Sequence, residues 1–237
     1  MRVLSMPEVL DLWACASVER SWRRALVLAG ADNYDEAAEW PLGQRDERLL
    51  ALRRQLLGPR MALRQQCASC RADLESAIDL DMLPPPPIGT PAPLEHSGYS
   101  VRFRLPDSRM LARIEGAASV EQARAELIDC CVEHAETNGV RVQPRELPPE
   151  VIDALGRAID AADPRANLEL SLECAVCAAT FTVQFDAASC VWTELDAWAR
   201  RRLEEVHLLA EAYGWTEREI LSLSPRRRQA YIDLVTQ

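Results

Sequence analysis

The sequence predicts an α+β fold, with helices at both ends of the chain and, between them, two β-hairpins separated by a helical insertion. Three observations predict this order. Apolar residues recur at three- and four-residue steps near both termini, apolar residues alternate around two distant C-x2-C turns, and a proline-rich stretch interrupts the region between these turns. With 237 residues, 48% of them hydrophobic, the chain is long enough to bury a core.

The N-terminal region, residues 1–58, is predicted to be helical. Residues 7–29 carry apolar side chains, among them Leu10 and Trp22, on one face of a helix. A second helix is predicted over roughly residues 44–57, and it ends at the Gly–Pro step that follows.

The first hairpin is predicted over residues 59–80, and a linker over residues 81–100. Leu74, Ser76 and Ile78 follow the first cysteine turn and alternate as residues in a strand do. The linker contains six prolines, which exclude a helix or a central strand and favour a stiff, extended conformation.

A helical insertion is predicted over residues 101–166, with a short strand candidate at its start. Ser119 begins a capping-box pattern ahead of a helix that would extend to about residue 137. The next helix, predicted over residues 149–162, opens on a proline, which suits the first helical position.

The second hairpin is predicted over residues 167–186, where apolar residues alternate on both sides of the second cysteine turn. The C-terminal region, residues 187–237, is predicted to be all helical. A long helix ends at Gly214, and two short helices begin at the capping residues Thr216 and Ser224.

Each C-x2-C turn supplies two thiolate ligands at the separation that a tetrahedral zinc site requires. Two hairpins with one such turn each make a zinc-ribbon-like pair, and loop-closure entropy rises only slowly with the length of chain between them. The sequence therefore predicts one structural Zn²⁺ site formed by Cys67, Cys70, Cys174 and Cys177.

Two alternatives to a zinc site remain at this point. Such turns usually place glycine after the second cysteine, where this chain has Arg71 and Ala178, so the cysteines could instead be reduced and buried. A thioredoxin-like redox pair is disfavoured, because neither turn lies between a strand and a helix.

Composition and motifs disfavour several classes of protein. The net charge of −10 disfavours a protein that grips phosphate backbones, and the absence of lysine excludes a P-loop. Three scattered histidines, with neither a G-x-S-x-G nor an H-E-x-x-H motif, predict a protein that is not an enzyme. No apolar run is long enough to span a membrane and the N-terminus does not read as an export signal, which predicts a cytoplasmic protein with reduced thiols.

Three consecutive arginines, residues 226–228, occupy the first turn of the last predicted helix, where the helix dipole disfavours cations. Either nearby acids such as Glu217, Glu219 or Asp233 neutralise them, or they contact an acidic partner. Nucleic acid is a weaker option, because residues 189–237 hold seven arginines against eight acids.

The stretch EVHLLAEAYGWTEREILSLSPRRRQAYIDLV resembles the C-terminal signature of small baseplate proteins. These proteins are encoded beside contractile tails, in phages and in phage-tail-like injection systems, and are related to the T-even phage baseplate hub assembly proteins. Three further stretches fit the same family: PLGQRDERLLALRRQLLG, VRFRLPDSRML and DPRANLELSLECAVC. Relatives tend to carry C-P-x-C-G at the cysteine turns, a pattern from which this chain departs.

The resemblance implies a non-enzymatic assembly factor or minor component of the baseplate or hub, made in the cytoplasm of the producing bacterium. It would act by contacts with hub, spike or tube proteins, and would either leave or stay in the assembled particle. The partner surface that the resemblance implies comprises Trp215, Ile220, Leu223, Pro225, Arg226, Arg227 and Tyr231. The helix-terminus argument adds Arg228. The alternative function is a zinc-ribbon regulator that binds nucleic acid, which the acidic net charge disfavours.

Overall fold

The computed structural model describes residues 4–86 and 89–236, and it confirms the α+β fold. The helices are α1 Met6–Ser17, α2 Ser21–Leu28, α3 Tyr34–Ala37, α4 Leu42–Leu57, α5 Ser108–Ile114, α6 Val120–Cys131, α7 Pro149–Ala162, α8 Ala187–Tyr213, α9 Glu217–Ser222 and α10 Pro225–Val235. The strands are β1 Arg60–Gln66, β2 Asp73–Asp79, β3 Leu94–His96, β4 Tyr99–Phe103, β5 Val132–Thr137, β6 Val140–Arg141, β7 Leu168–Glu173 and β8 Thr180–Phe185. Within the described ranges, no helix combines the length and apolarity needed to cross a membrane.

The main core lies among α1, α2, α4 and α8. Leu49 and Leu50 of α4 are fully buried there. The same core takes in Met61 from β1, and Leu168 and Phe185 from β7 and β8. The bases of both antiparallel hairpins, β1–β2 and β7–β8, are therefore anchored on the helices, while their cysteine turns lie at the far ends.

The helix predicted over residues 7–29 is two helices, α1 and α2, joined by a short turn. Arg24 of α2 donates from Nη2 to the carbonyl oxygen of Glu19 at 3.0 Å, and from Nε to that of Ala16 at 3.3 Å. Because these bonds satisfy carbonyls at the end of α1, they stabilise the break between the helices.

The predicted insertion contains helices, as expected, but also a four-stranded antiparallel sheet in the order β3-β4-β5-β6. We call this sheet together with α6 and α7 the insertion lobe, residues 94–162. Its own core includes Val101 and Phe103 of β4, Ala135 of β5 and Leu155 of α7. The linker predicted to run to residue 100 thus gives way to β3 at Leu94.

The helix predicted to extend from Ser119 to about residue 137 was too long. It ends at Cys131, and the following residues form β5 because they pair with β4 and continue into β6. Asn138 and Gly139, both at positive φ (49° and 75°), form the two-residue turn between β5 and β6. Asn-Gly is a strong hairpin signal, but the predicted helix extended up to it.

The start of α4 contacts the segment that follows β4 and the residue that follows α7. The backbone N–H of Leu42 donates to the carbonyl oxygen of Pro106 at 3.0 Å. The N–H of Gly43 donates to Oδ2 of the buried Asp163 at 2.8 Å. A side chain at Gly43 would overlap the Asp163 carboxylate, so this close approach requires glycine.

Two buried arginines add further ties to α4. Arg165 pairs with Glu47 of α4, and its Nε donates to the carbonyl oxygen of Pro84 at 2.8 Å. Arg53 of α4 binds Glu194 of α8 through both guanidinium branches, at 2.7 and 3.1 Å. Charge-assisted, two-branched bonds of this kind fix the direction of the groups that they join. These bonds therefore hold three parts of the chain against α4: the segment that follows β2, the segment that precedes β7, and the long helix α8.

We predict that Gly43→Ala destabilises the protein, because the added methyl group meets the Asp163 carboxylate. Overpacking of this kind costs about 1–3 kcal/mol in free energy of unfolding. Urea denaturation would measure the change. The matched control is Gly156→Ala in the interior of α7, where an added Cβ meets nothing within 4 Å. This control should gain about 0.5–1 kcal/mol from helix propensity. Equal stability of the two variants would contradict the account of this contact.

Candidate metal centre and C-terminal surface

The four cysteines of the two C-x2-C turns meet in one cluster. Sγ of Cys67 lies 3.8 Å from Sγ of Cys177, and Sγ of Cys70 lies 3.7 Å from Sγ of Cys174. All four sulfur atoms lie within 4.8 Å of one another. Tetrahedral coordination with metal–sulfur bonds of about 2.3 Å requires sulfur atoms about 3.8 Å apart. The distant pairs therefore lie together, as the sequence predicted, and this cluster could hold a metal ion.

The two turns are built alike, as their backbone hydrogen bonds show. In the first, the N–H of Arg71 donates to the carbonyl oxygen of Cys67 at 2.9 Å, and the N–H of Cys67 donates to that of Ala72 at 2.9 Å. In the second, the N–H of Ala178 donates to the carbonyl oxygen of Cys174 at 2.8 Å. Each turn therefore wraps its backbone around the sulfur atoms and directs both thiols to the same side.

The residue after the second cysteine of each turn is in the left-handed region, with φ of 60° at Arg71 and 57° at Ala178. This conformation explains why glycine is usual at these positions. A side chain there costs about 1–3 kcal/mol of backbone strain and persists only where the surroundings impose the conformation. The strain is the same in both turns, which indicates that the sulfur cluster requires it.

Burial and ionisation differ between the cysteines. In each turn, the first cysteine is buried and the second is exposed. Backbone N–H groups of Cys70 and Ser69 lower the pKa of Cys67 to about 6, although burial opposes them. At Cys177, the Ala179 N–H lowers the pKa, but hydrogen bonds with the other three thiols and burial raise it to about 12. The thiols thus influence one another through their hydrogen bonds, and a bound cation would offset the repulsion between four thiolates.

The cysteine ends of the hairpins have little apolar core. Leu74 near the start of β2, Leu172 near the end of β7 and Phe181 near the start of β8 are only partly buried. No strand of β1–β2 pairs with a strand of β7–β8 in the part of the chain that the structure describes. The cysteine cluster is therefore the contact best placed to hold these ends together.

The predicted partner residues of the C-terminal region divide into three groups. Pro225, Arg226 and Arg227 are exposed, and Trp215, Leu223 and Tyr231 are partly buried. Ile220 and Arg228 are buried, with 0% and 1% of their surfaces exposed. The assignment of Ile220 and Arg228 to a partner surface was therefore wrong, because their side chains are used inside the protein.

Arg228 joins α10 to α8. Its Nε donates to Oε2 of Glu205 at 2.7 Å, and its Nη1 donates to the carbonyl oxygen of Leu223 at 3.3 Å. Arg202 donates to the same carboxylate oxygen at 2.8 Å. The three arginines are therefore not equivalent, because Arg228 has an acid, Glu205, on the neighbouring helix.

A cluster of three aromatic rings lies where α8, α9 and α10 meet. Trp215 stacks on Tyr213 with ring centroids 4.7 Å apart, and its edge meets Tyr231 at 4.8 Å. Gly214, in the left-handed region with φ of 68°, turns the chain between Tyr213 and Trp215. Tyr213 was not among the predicted partner residues, although its place beside the helix-ending glycine was a usable signal.

We predict that Arg228→Ala lowers the free energy of unfolding by about 2 kcal/mol or more, because it leaves a partly buried carboxylate without one of its two cations. The double variant Arg226→Glu, Arg227→Glu should change stability by less than about 0.5 kcal/mol, as exposed substitutions do. Chemical denaturation followed by circular dichroism measures both. A fully stable Arg228→Ala variant would show that the pair with Glu205 is dispensable.

Comparison with known proteins supports the resemblance over the range that holds its three shorter stretches, at residues 41–58, 101–111 and 163–177. The family model described as T4 bacteriophage base plate protein matches residues 27–189. This range includes both cysteine turns and the insertion lobe, whereas the C-terminal stretch lies outside it. No curated protein and no solved structure gives a significant match. Because the matched range covers more than half of the chain, this protein belongs to the T4 bacteriophage base plate protein family.

Proposed function

We propose that this protein is a non-enzymatic assembly factor or minor component of a contractile-tail baseplate or its hub, in a phage or in a phage-tail-like injection system. Membership of the baseplate family is the observation that carries this proposal. On this proposal, the protein acts by contacts with other baseplate proteins, among them hub, spike or tube proteins. It is made in the cytoplasm of the producing bacterium and acts there before or during incorporation into the particle.

Zinc is the ion that we propose for the cysteine cluster. Four thiolates in tetrahedral arrangement are the ligand set of structural zinc sites, and a site with four protein ligands leaves no open position for a substrate. The sulfur separations of 3.7 and 3.8 Å support this assignment. The role of the ion is to join the free ends of β1–β2 and β7–β8.

The exposed start of α10 is the partner surface that we propose. The guanidinium groups of Arg226 and Arg227 make no hydrogen bond or ion pair with the residues that the structure describes. They lie at the positive end of the α10 dipole, so an acidic partner would relieve an unfavourable interaction. The ring of Tyr231 on the same helix is partly exposed and belongs to the aromatic cluster, and aromatic and arginine side chains are frequent anchors of interfaces.

We predict about one equivalent of zinc in freshly purified protein, measured by elemental analysis. Cys174→Ser should lose the metal and unfold the ends of both hairpins, because structural zinc contributes on the order of 10 kcal/mol in small domains. Hydrogen exchange of residues 60–79 and 168–185 would detect this loss. Cys15→Ser, at an exposed free cysteine, is the control that should keep the metal. A folded wild-type protein with less than about a tenth of an equivalent of zinc would refute the assignment.

We predict that the double variant Arg226→Glu, Arg227→Glu folds normally but no longer co-purifies with its baseplate partner and fails to support tail assembly. Glutamate suits a helix N-terminus, so the loss would not come from unfolding. The control is the double variant Arg113→Glu, Arg141→Glu, which changes the net charge equally at exposed positions elsewhere. Normal particles from the first variant would place the partner surface elsewhere. Loss of assembly by both variants would point to net charge alone.

A further inference from the structure

The insertion lobe carries an apolar groove along α6 and α7. Two adjoining cavities, of about 340 and 530 Å³, lie beside these helices. Both are lined by Arg124 and Ile128 of α6 and by Ile152 of α7. Together they form a surface that we call the α6–α7 groove. It lies within the range that matches the baseplate family and is separate from the cysteine cluster and from α10.

The lining of the groove is mainly apolar, and α6 supplies much of it. Cys131 is the one fully buried residue among the twelve of this helix, so most of its apolar side chains are only partly covered. The apolar side chains that line the groove come from both helices: Leu127 and Ile128 from α6, and Ile152, Leu155 and Ile159 from α7. Apolar side chains at three- and four-residue spacing on two neighbouring helices form the kind of surface that binds a third helix.

Gly156 lies in the interior of α7 and lines the smaller cavity. Glycine at such a position costs about 1 kcal/mol relative to alanine. A Cβ at Gly156 would meet nothing within 4 Å, so no contact within the described protein requires glycine there. Glycine does, however, let the backbone of another element approach closely.

The rim of the groove is acidic. Its two arginines are already paired, Arg124 with Asp153 at 2.7 Å and Arg145 with Asp129 at 2.6 Å. Three further acids line the groove and make no ion pair with a described residue: Glu121 at the start of α6, Asp160 near the end of α7, and the buried Asp163, which accepts from the N–H of Gly43. The excess of negative charge favours an occupant that carries cations.

We propose that the α6–α7 groove binds an amphipathic helix of a partner protein, with apolar residues on one face and arginine or lysine at its flanks. Three features of the groove specify this occupant. The apolar lining calls for an apolar face, the open space over Gly156 allows a close approach, and the acidic rim calls for basic residues at the flanks. The proposal goes beyond the function proposed above, because it adds a second docking surface that needs neither the arginines of α10 nor the metal.

Site-specific photo-crosslinking in bacteria that produce the complete tail tests this proposal. The photoreactive residue p-benzoylphenylalanine is placed at Glu121 on the rim, where it leaves the space over Gly156 open, and as a control at Arg157, which is exposed and does not line the groove. We expect a crosslink from position 121, at least tenfold stronger than from 157, to another protein in a segment with helical apolar spacing and an excess of basic residues. Crosslinks only to a second copy of this chain, only to acidic segments, or at the level of the control would overturn it.

A pair of substitutions tests the same proposal without a photoreactive group. Gly156→Trp should fill the groove and reduce co-purification of the crosslinked partner at least tenfold, whereas Gly156→Ala, which adds a single methyl group, should reduce it far less. Circular dichroism checks that both variants are folded. Failure of the proposed α10 surface can be told apart from failure of the groove proposal, because the variant Arg226→Glu, Arg227→Glu should keep the crosslink from position 121. Retention of the partner by a folded Gly156→Trp variant would contradict the proposal.

Discussion

The contact between two hairpins that are far apart in sequence is the constraint on which the rest of this structure depends. Cys67 and Cys177 are 110 positions apart, yet their sulfur atoms lie 3.8 Å from each other. The bases of the hairpins are held by the helical core, but their ends have little apolar surface to bury. A metal bond is well suited to this place, because it needs four sulfur atoms and no core. The left-handed backbone at Arg71 and Ala178 is the cost of directing those atoms inward.

The same constraint determines how the insertion lobe is attached. Since the bases of both hairpins pack on the same helical core, the chain between them must leave this core and return to it. The N-terminus of α4 holds the returning chain, through Gly43 bound to Asp163 and Glu47 bound to Arg165. The lobe then has its own sheet and core and presents the α6–α7 groove outward. Under the proposed function, these ties fix the position of the groove relative to the helical core.

Local patterns predicted much of the fold, whereas long-range pairing was beyond their reach. The helix predicted over residues 149–162 is α7, and the two cysteine turns lie in one cluster, as their spacing implied. The sequence did not predict the sheet of the insertion lobe, because the helix predicted from Ser119 extended up to the Asn138–Gly139 turn. The burial of Arg228 could not be predicted, since it depends on Glu205 of a neighbouring helix. Exposed arginines and buried, paired arginines look the same in a sequence.

The central claim is that the two hairpins are held together by one metal ion with four cysteine ligands. X-ray absorption spectroscopy of the purified protein at the zinc edge tests it most directly, because the method reports ligand type, number and distance. The account predicts four sulfur ligands at about 2.3 Å and no nitrogen or oxygen ligand. A spectrum with two sulfur ligands and a remainder of nitrogen or oxygen would contradict it, as it would mean that the distant pairs do not share one ion.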